Sequence, residues 1–352
     1  MVRPGVTSSV SLSVLDVIPV RSGQSSAQAV AASIALARVA DELGMRRVWY
    51  AEHHNMPSVA STSPPVLAAA AAMATERIRV GAGGVMLPNH APLVVAEQFA
   101  TIEALAPGRV DLGLGRAPGS DPVITALLRS TGTTSDVERF GDNVADILAL
   151  LEPEGARLRL TSGKEYRVAA TPDGRAAPTV WLLGSSDYSA RLAARLGLPF
   201  VFANHFGSPG LERALDIYRS GYEPSEAHPA PLTILTANAV VAEAPEEAVE
   251  RSRPHARAMA RMRSGRPMRA AETVDEVLAA PDPELDAFAE TLSRGWLVGA
   301  PAPVAERIAA LAAAHGVDEV MLSPVAGAYA AEPLDAAPGR EATLRLLATA
   351  LR

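Results

Sequence analysis

The chain has 352 residues, 48% of them hydrophobic and 20% charged, enough apolar material for one large α/β domain. Its net charge of -7, with acids and bases interspersed, supplies no basic footprint for nucleic acid or an anionic membrane. The lack of cysteine excludes disulfides, thiolate metal sites and cysteine nucleophiles, and no apolar run reaches a membrane span's length of roughly eighteen residues. MVRPGVTSSVSLSVLDV shows no signal-peptide core, so a soluble cytoplasmic protein is expected.

In chain order, SLSVLDV (11–17) predicts a strand and AQAVAASIALARVADELG (27–44) a helix. RVWYAE (47–52), IRVGAG (78–83) and RVDLGLG (109–115) continue the strands, separated by helical segments at 64–75 and 91–106. A helix at 136–152 precedes the strands TVWLLG (179–184), FVFAN (200–204), LTILTANAVVA (232–242) and DEVMLSP (318–324). Helices at 187–197, 211–222, 246–262 and 303–316 accompany them, Pro254 predicting a kink or break, and a last helix closes the chain near 340–351. Eight strands alternating with eight helices predict a single α/β domain over 1–352, a (β/α)8 TIM barrel with insertions. Gly44, Gly197 and Gly316 follow helical runs and suit the left-handed position after a helix end. Two stretches interrupt the repeat: 153–178, expected to carry a small hairpin around Ser162-Gly163, and 263–298, rich in arginine, proline and charge, expected as a lid or a surface loop.

Barrel chemistry gathers where strands end at their C-termini, so the residues just past each strand matter most. AEHHN (51–55) ends the second strand, and neighbouring strand residues point to opposite faces, so His53 and His54 do not share one metal ion and no metal site is expected. Each histidine has two readings, a hydrogen-bonded structural residue or a proton donor and acceptor near neutral pH. In GAGGVMLP the glycines permit a bulge, a flat ligand against bare backbone, or unusual dihedrals such as a non-proline cis bond. GSSDYS opens a helix, where Ser185 or Ser186 either caps it or joins its free amides in holding an anion; Arg116, at the neighbouring rim position, would make that anion a phosphate.

Taken together these residues resemble the bacterial luciferase-like flavin monooxygenase family. The resemblance covers essentially the whole chain through RVWYAEHHN, STSPPVLAAAAA, IRVGAGGVMLPNHAPLVVAEQFATIEALAPGRVDLGLGRAPG, VWLLGSSDYSARLAARLGLPF and WLVGAPAPVAERIAALAAAHGVDEVML, in that order. It implies a two-component monooxygenase that uses FMN as FMNH2 from a separate reductase and inserts one oxygen of O2 into an organic small molecule through a flavin C4a-peroxide. His53 matches the catalytic histidine beside the flavin, with His54 in support; Gly83 and Gly84 match a cis peptide facing the ring; and Arg116, Ser185, Ser186 and Ser189 match the phosphate-holding positions. In luciferase itself an acidic residue stands at the position of Ser185. The resemblance further implies that 263–298 is a mobile lid and that the chain pairs as a homodimer, with alanine-rich second and third helices suited to close packing. Met86, Asn89, His90 and His205, with His54, are the expected substrate-facing set. Two alternatives share the fold: hydride transfer with deazaflavin F420, and a non-catalytic flavin-binding protein.

Overall fold

The computed structural model describes residues 10–129, 137–173, 176–207 and 209–352. The first residue of the expected 136–152 helix and two residues of the 153–178 stretch lie outside the described residues. The first half runs β1 (Ser11–Asp16), α1 (Ser26–Glu42), β2 (Arg47–Tyr50), α2 (Pro64–Ala74), β3 (Arg79–Met86), α3 (Pro92–Leu105), β4 (Val110–Gly115), α4 (Pro122–Arg129) and α5 (Phe140–Leu151). A hairpin of β5 (Ala156–Arg159) and β6 (Glu165–Val168) follows, then β7 (Thr179–Gly184), α6 (Asp187–Arg195), β8 (Phe200–Phe202) and α7 (Leu211–Ser220). The chain ends with β9 (Thr233–Val241), α8 (Pro245–Arg263), α9 (Val274–Ala279), α10 (Pro283–Ser293), β10 (Leu297–Gly299), α11 (Pro301–His315), β11 (Glu319–Pro324) and α12 (Pro338–Ala350).

Eight parallel strands close on themselves in the order β1-β2-β3-β4-β7-β8-β9-β11, the barrel expected from the strand count. A ninth, β10, adds in parallel to the far end of β9, at Leu297↔Ala239 to Gly299↔Val241. Gly44, Gly197 and Gly316 take φ of +74°, +59° and +58°, so the expected helix stops hold. Pro254 does not break α8, which runs unbroken from Pro245 to Arg263. Its ring packs where Gly327 leaves room, since a Cβ there would lie 2.6 Å from the Pro254 Cγ.

Alternation sends one face of each strand into the barrel and the other under the helices, where most of the apolar core lies. Inside, Trp49 and Trp181 fill the middle in an edge-to-face pair with centroids 5.4 Å apart. Below them, at the N-terminal strand ends, charges plug the barrel. Arg47, 2% exposed, pairs with Asp111 and Glu319 at 2.7 Å each, and Arg79 reaches Asp111 at the same distance. Trp49 Nε1 donates to Asp111 at 3.0 Å. The bottom and middle are therefore full, and the remaining space lies at the C-terminal mouth.

Residues 263–298 hold α9, α10 and β10. Arg257, buried on α8, grips Asp286 of α10 through two hydrogen bonds of 2.8 Å, and also reaches Glu272 and the Ala280 carbonyl. Arg266 pairs with Asp282 and Glu284, and Arg269 with Glu272. The charge of this stretch is thus spent largely within it. Among the described residues no helix is long and apolar enough to cross a membrane.

Candidate active site

A cavity of about 450 Å³ opens at the barrel mouth. One wall is the end of β3, where the Gly83-Gly84 peptide bond is cis, as the resemblance implied. Both glycines are required by space: a Cβ on Gly83 would sit 2.7 Å from Leu15 Cδ1, and one on Gly84 2.8 Å from the Gly113 carbonyl oxygen. The pairing register with β4 shifts between Gly83 and Val85, which turns this peptide out of the regular ladder. The result is a strip of bare backbone suited to a flat ring.

Just past β2 the two histidines diverge as strand alternation predicts. His53 lines the cavity, its backbone N–H donating to the Ser61 carbonyl at 3.0 Å. Burial pushes its imidazole below the ordinary value; the Glu52 charge and the Gly119 carbonyl oppose this, while His54 adds to it. His54 instead turns back to Glu52, which is fully buried. Glu52 Oε1 meets His54 Nε2 at 2.9 Å and His90 Nε2 at 2.8 Å, and Oε2 accepts the Met86 N–H at 2.9 Å. Burial alone would raise the Glu52 carboxyl; the hydrogen bonds outweigh it and hold it at about 2. A fixed carboxylate therefore ties the β2 end to the β3 end behind His53.

Beside β3's glycines, the ends of β4 and β7 bring Arg116, Ser185, Ser186 and Ser189 to the same cavity. Ser186 is the N-cap residue of α6 yet its hydroxyl makes no capping bond. Ser189 is buried in the first turn, so close to Gly184 that no larger residue fits at 184. Arg116 stacks over the Tyr188 ring at 4.3 Å and has no carboxylate partner among the described residues. Uncapped hydroxyls, free first-turn amides and an unneutralised guanidinium are what a phosphate needs. His53, Gly83, Gly84, Arg116 and the three serines therefore share one cavity.

Of the expected substrate-facing set, Met86 and His205 reach the wall, whereas His54, Asn89 and His90 stand behind it. The two histidines are drawn to Glu52, and Asn89 is buried with Nδ2 donating to the Pro118 carbonyl at 2.8 Å. Four residues were missed. Glu52 is visible in AEHHN, but two of its partners, Met86 and His90, come from the end of β3 and the turn after it. His255, Met259 and Met262 recur at helical spacing in PHARAMARM, a signal that marks one face of α8 without showing what it faces.

Compared with models of known families, residues 10–319 match that of the luciferase-like monooxygenases. The chain belongs to this family. The luciferase-like monooxygenase of Escherichia coli K12 is 43% identical over 239 residues, covering 68% of this chain and 69% of that protein. Among solved structures, apo-MsnO8 superposes with a TM-score of 0.84 at 35% identity, covering 97% of this chain and 98% of that one. More distant likenesses show the shared fold alone: an FMN complex of a type II Baeyer-Villiger monooxygenase from Pseudomonas putida (TM-score 0.71, 20% identity, covering 97% of each chain) and an F420-dependent secondary alcohol dehydrogenase (TM-score 0.63, 17% identity, covering 97% of this chain and 99% of that one). This luciferase-like chain is thus an enzyme of the flavin-dependent oxidoreductase kind.

Proposed function

We propose that the protein is the oxygenase of a two-component system, an FMNH2-dependent monooxygenase that places one atom of O2 in an organic small molecule and releases the other as water. The observation that carries this reading is the convergence of Arg116, the three serines, the cis Gly83-Gly84 wall and His53 on one cavity. Bound there, reduced FMN supplies the two electrons that the oxygen chemistry requires. Arg116 and the α6 amides would hold its phosphate, with Ser185, Ser186 and Ser189 as hydroxyl donors. The bare backbone at Gly83 and Gly84 admits the planar ring. His53, kept neutral by burial, can take a proton at an imidazole nitrogen or pass one on as oxygen charge develops. Apolar walls from Leu183, Met86 and the α8 methionines keep water from the reacting atoms. We place the reduction of FMN on a separate NAD(P)H-dependent reductase, and we propose a homodimer through α2 and α3.

The test is a ligand titration followed by fluorescence. FMN should bind more tightly than riboflavin, and Arg116→Ala should remove about 1.5–3 kcal/mol of FMN affinity, the value of a hydrogen bond to a charged group, while leaving riboflavin nearly unchanged. Equal loss for both ligands would take Arg116 off the phosphate. Binding of F420 alone, with no oxygen uptake beside a flavin reductase, would replace this reading by hydride transfer.

A further inference from the structure

Across the barrel mouth the wall changes chemistry. The strand order puts β4 and β7, which carry Arg116 and the serines, diametrically opposite β11 and β1. Over that opposite rim α8 presents His255, Ala258, Met259 and Met262, spaced as one helix face, and Met268 follows them. This side is held in place from outside: Ala271 exchanges backbone hydrogen bonds of 2.8 Å with Val20 and Ser22 beyond β1, and Arg257 pins α10 to α8. The compartment's outer side is therefore tied to the rest of the barrel.

Its electrostatics are equally defined. Among the described residues that line the cavity, Arg116 is the one permanent charge, and it belongs to the far rim. The histidines do not add to it. Burial takes His205 down to about 3, with His53 and His255 contributing, and takes His255 down to about 4, with Arg340 contributing. His255 lies against the Trp296 ring, centroids 5.4 Å apart, and reaches the cavity with no hydrogen-bond partner for its nitrogens among the described residues. A neutral imidazole offers one donor and one acceptor. Such an unpartnered polar group, aimed into an apolar space, points to a ligand.

We propose that the methionine-walled half of the cavity is the substrate compartment, and that it takes an uncharged, largely apolar molecule whose hydroxyl or carbonyl group hydrogen-bonds to His255. This deepens the monooxygenase reading and rests on it for the fate of that molecule, though not for its binding. A carboxylate or ammonium there would be buried without an opposite charge, which is strongly penalised. Methionine side chains, unbranched and flexible, adapt to many outlines. Selection is accordingly loose in shape and strict in charge.

The experiment uses the full chain with carbon-13-labelled methionine methyl groups, assigned by single Met→Leu changes, and two probes of matched size: 4-(methylsulfanyl)phenol, neutral at neutral pH, and 4-(methylsulfanyl)benzoate, an anion. The phenol is expected to shift the Met259, Met262 and Met268 signals and to bind at least about tenfold more tightly than the benzoate. His255→Phe should weaken the phenol by about three- to tenfold, the loss of one neutral hydrogen bond, and His255→Gln should restore it. Three outcomes overturn the proposal: benzoate binding as well as phenol, neither probe moving those signals, or His255→Phe binding phenol like the parent. An FMN titration of the same sample separates the two claims. Selective phenol binding without FMN binding sinks the cofactor reading alone, while FMN binding with indiscriminate probes sinks this one alone.

Discussion

Within AEHHN, each side chain's direction decides its work. Strand alternation is enough to separate His53 from His54 without saying which faces the cavity; the family resemblance implied His53. What was not legible is Glu52's part, because its partners His90 and Met86 arrive from β3. His53→Ala is expected to lower substrate oxidation by about 10²- to 10⁴-fold, the range for a positioned acid or base, with FMN affinity preserved. Because burial depresses His53, its charged form appears only below the ordinary value of 6.5. Activity that needs the neutral imidazole should be full above that pH and fall as pH drops, so the acid limb of kcat/KM lies below 6.5. A limb centred above 6.5, or one that survives in His53→Gln, would assign the proton transfer elsewhere.

The elements were read well where a pattern had room to develop. Eight strands and their helices emerged because apolar runs of four or more residues alternate with long helical segments. β10 escaped because Leu297–Gly299 is too short to alternate. α9 and α10 were hidden by composition, since their charged residues resemble a solvated loop until Arg257, Arg266 and Arg269 are seen to pair with Glu272, Asp282 and Asp286. The buried plug shows the same logic at the strand starts, where Arg47 stays charged because Asp111 and Glu319 oppose the desolvation that would lower it. Arg47→Met leaves Glu319 with the Ser13 hydroxyl and the half-exposed Arg46, at 3.4 Å, as its remaining partners among the described residues. It should cost about 3–5 kcal/mol in chemical denaturation, the typical result of breaking one side of a buried pair. A change under about 1 kcal/mol would show that the plug contributes little net stability.

At the scale of the whole molecule, composition gives no expectation of nucleic acid or membrane partners but leaves association open. The outer faces of α2 and α3 carry Val66 and Met73, at 66% and 69% exposure, together with Val94 and Leu105. These exposed apolar side chains, on two helices that pack side by side, are the face we propose for the dimer. Light scattering should find a dimer, and Met73→Lys should shift it toward monomer with little loss of monomer stability, because Met73 has few neighbours to lose. A parent protein that is already monomeric would remove the proposal.

One feature of the closed sheet reaches further. Because the ends of β4 and β7 that we propose hold the phosphate lie across the barrel from the rim covered by α8, the two rims should be able to change independently. Chimeras that exchange only the stretch after α8 should redirect which compound is oxidised while the grip on the coenzyme's tail is inherited unaltered, so that one ancestral anchor can serve many pathways.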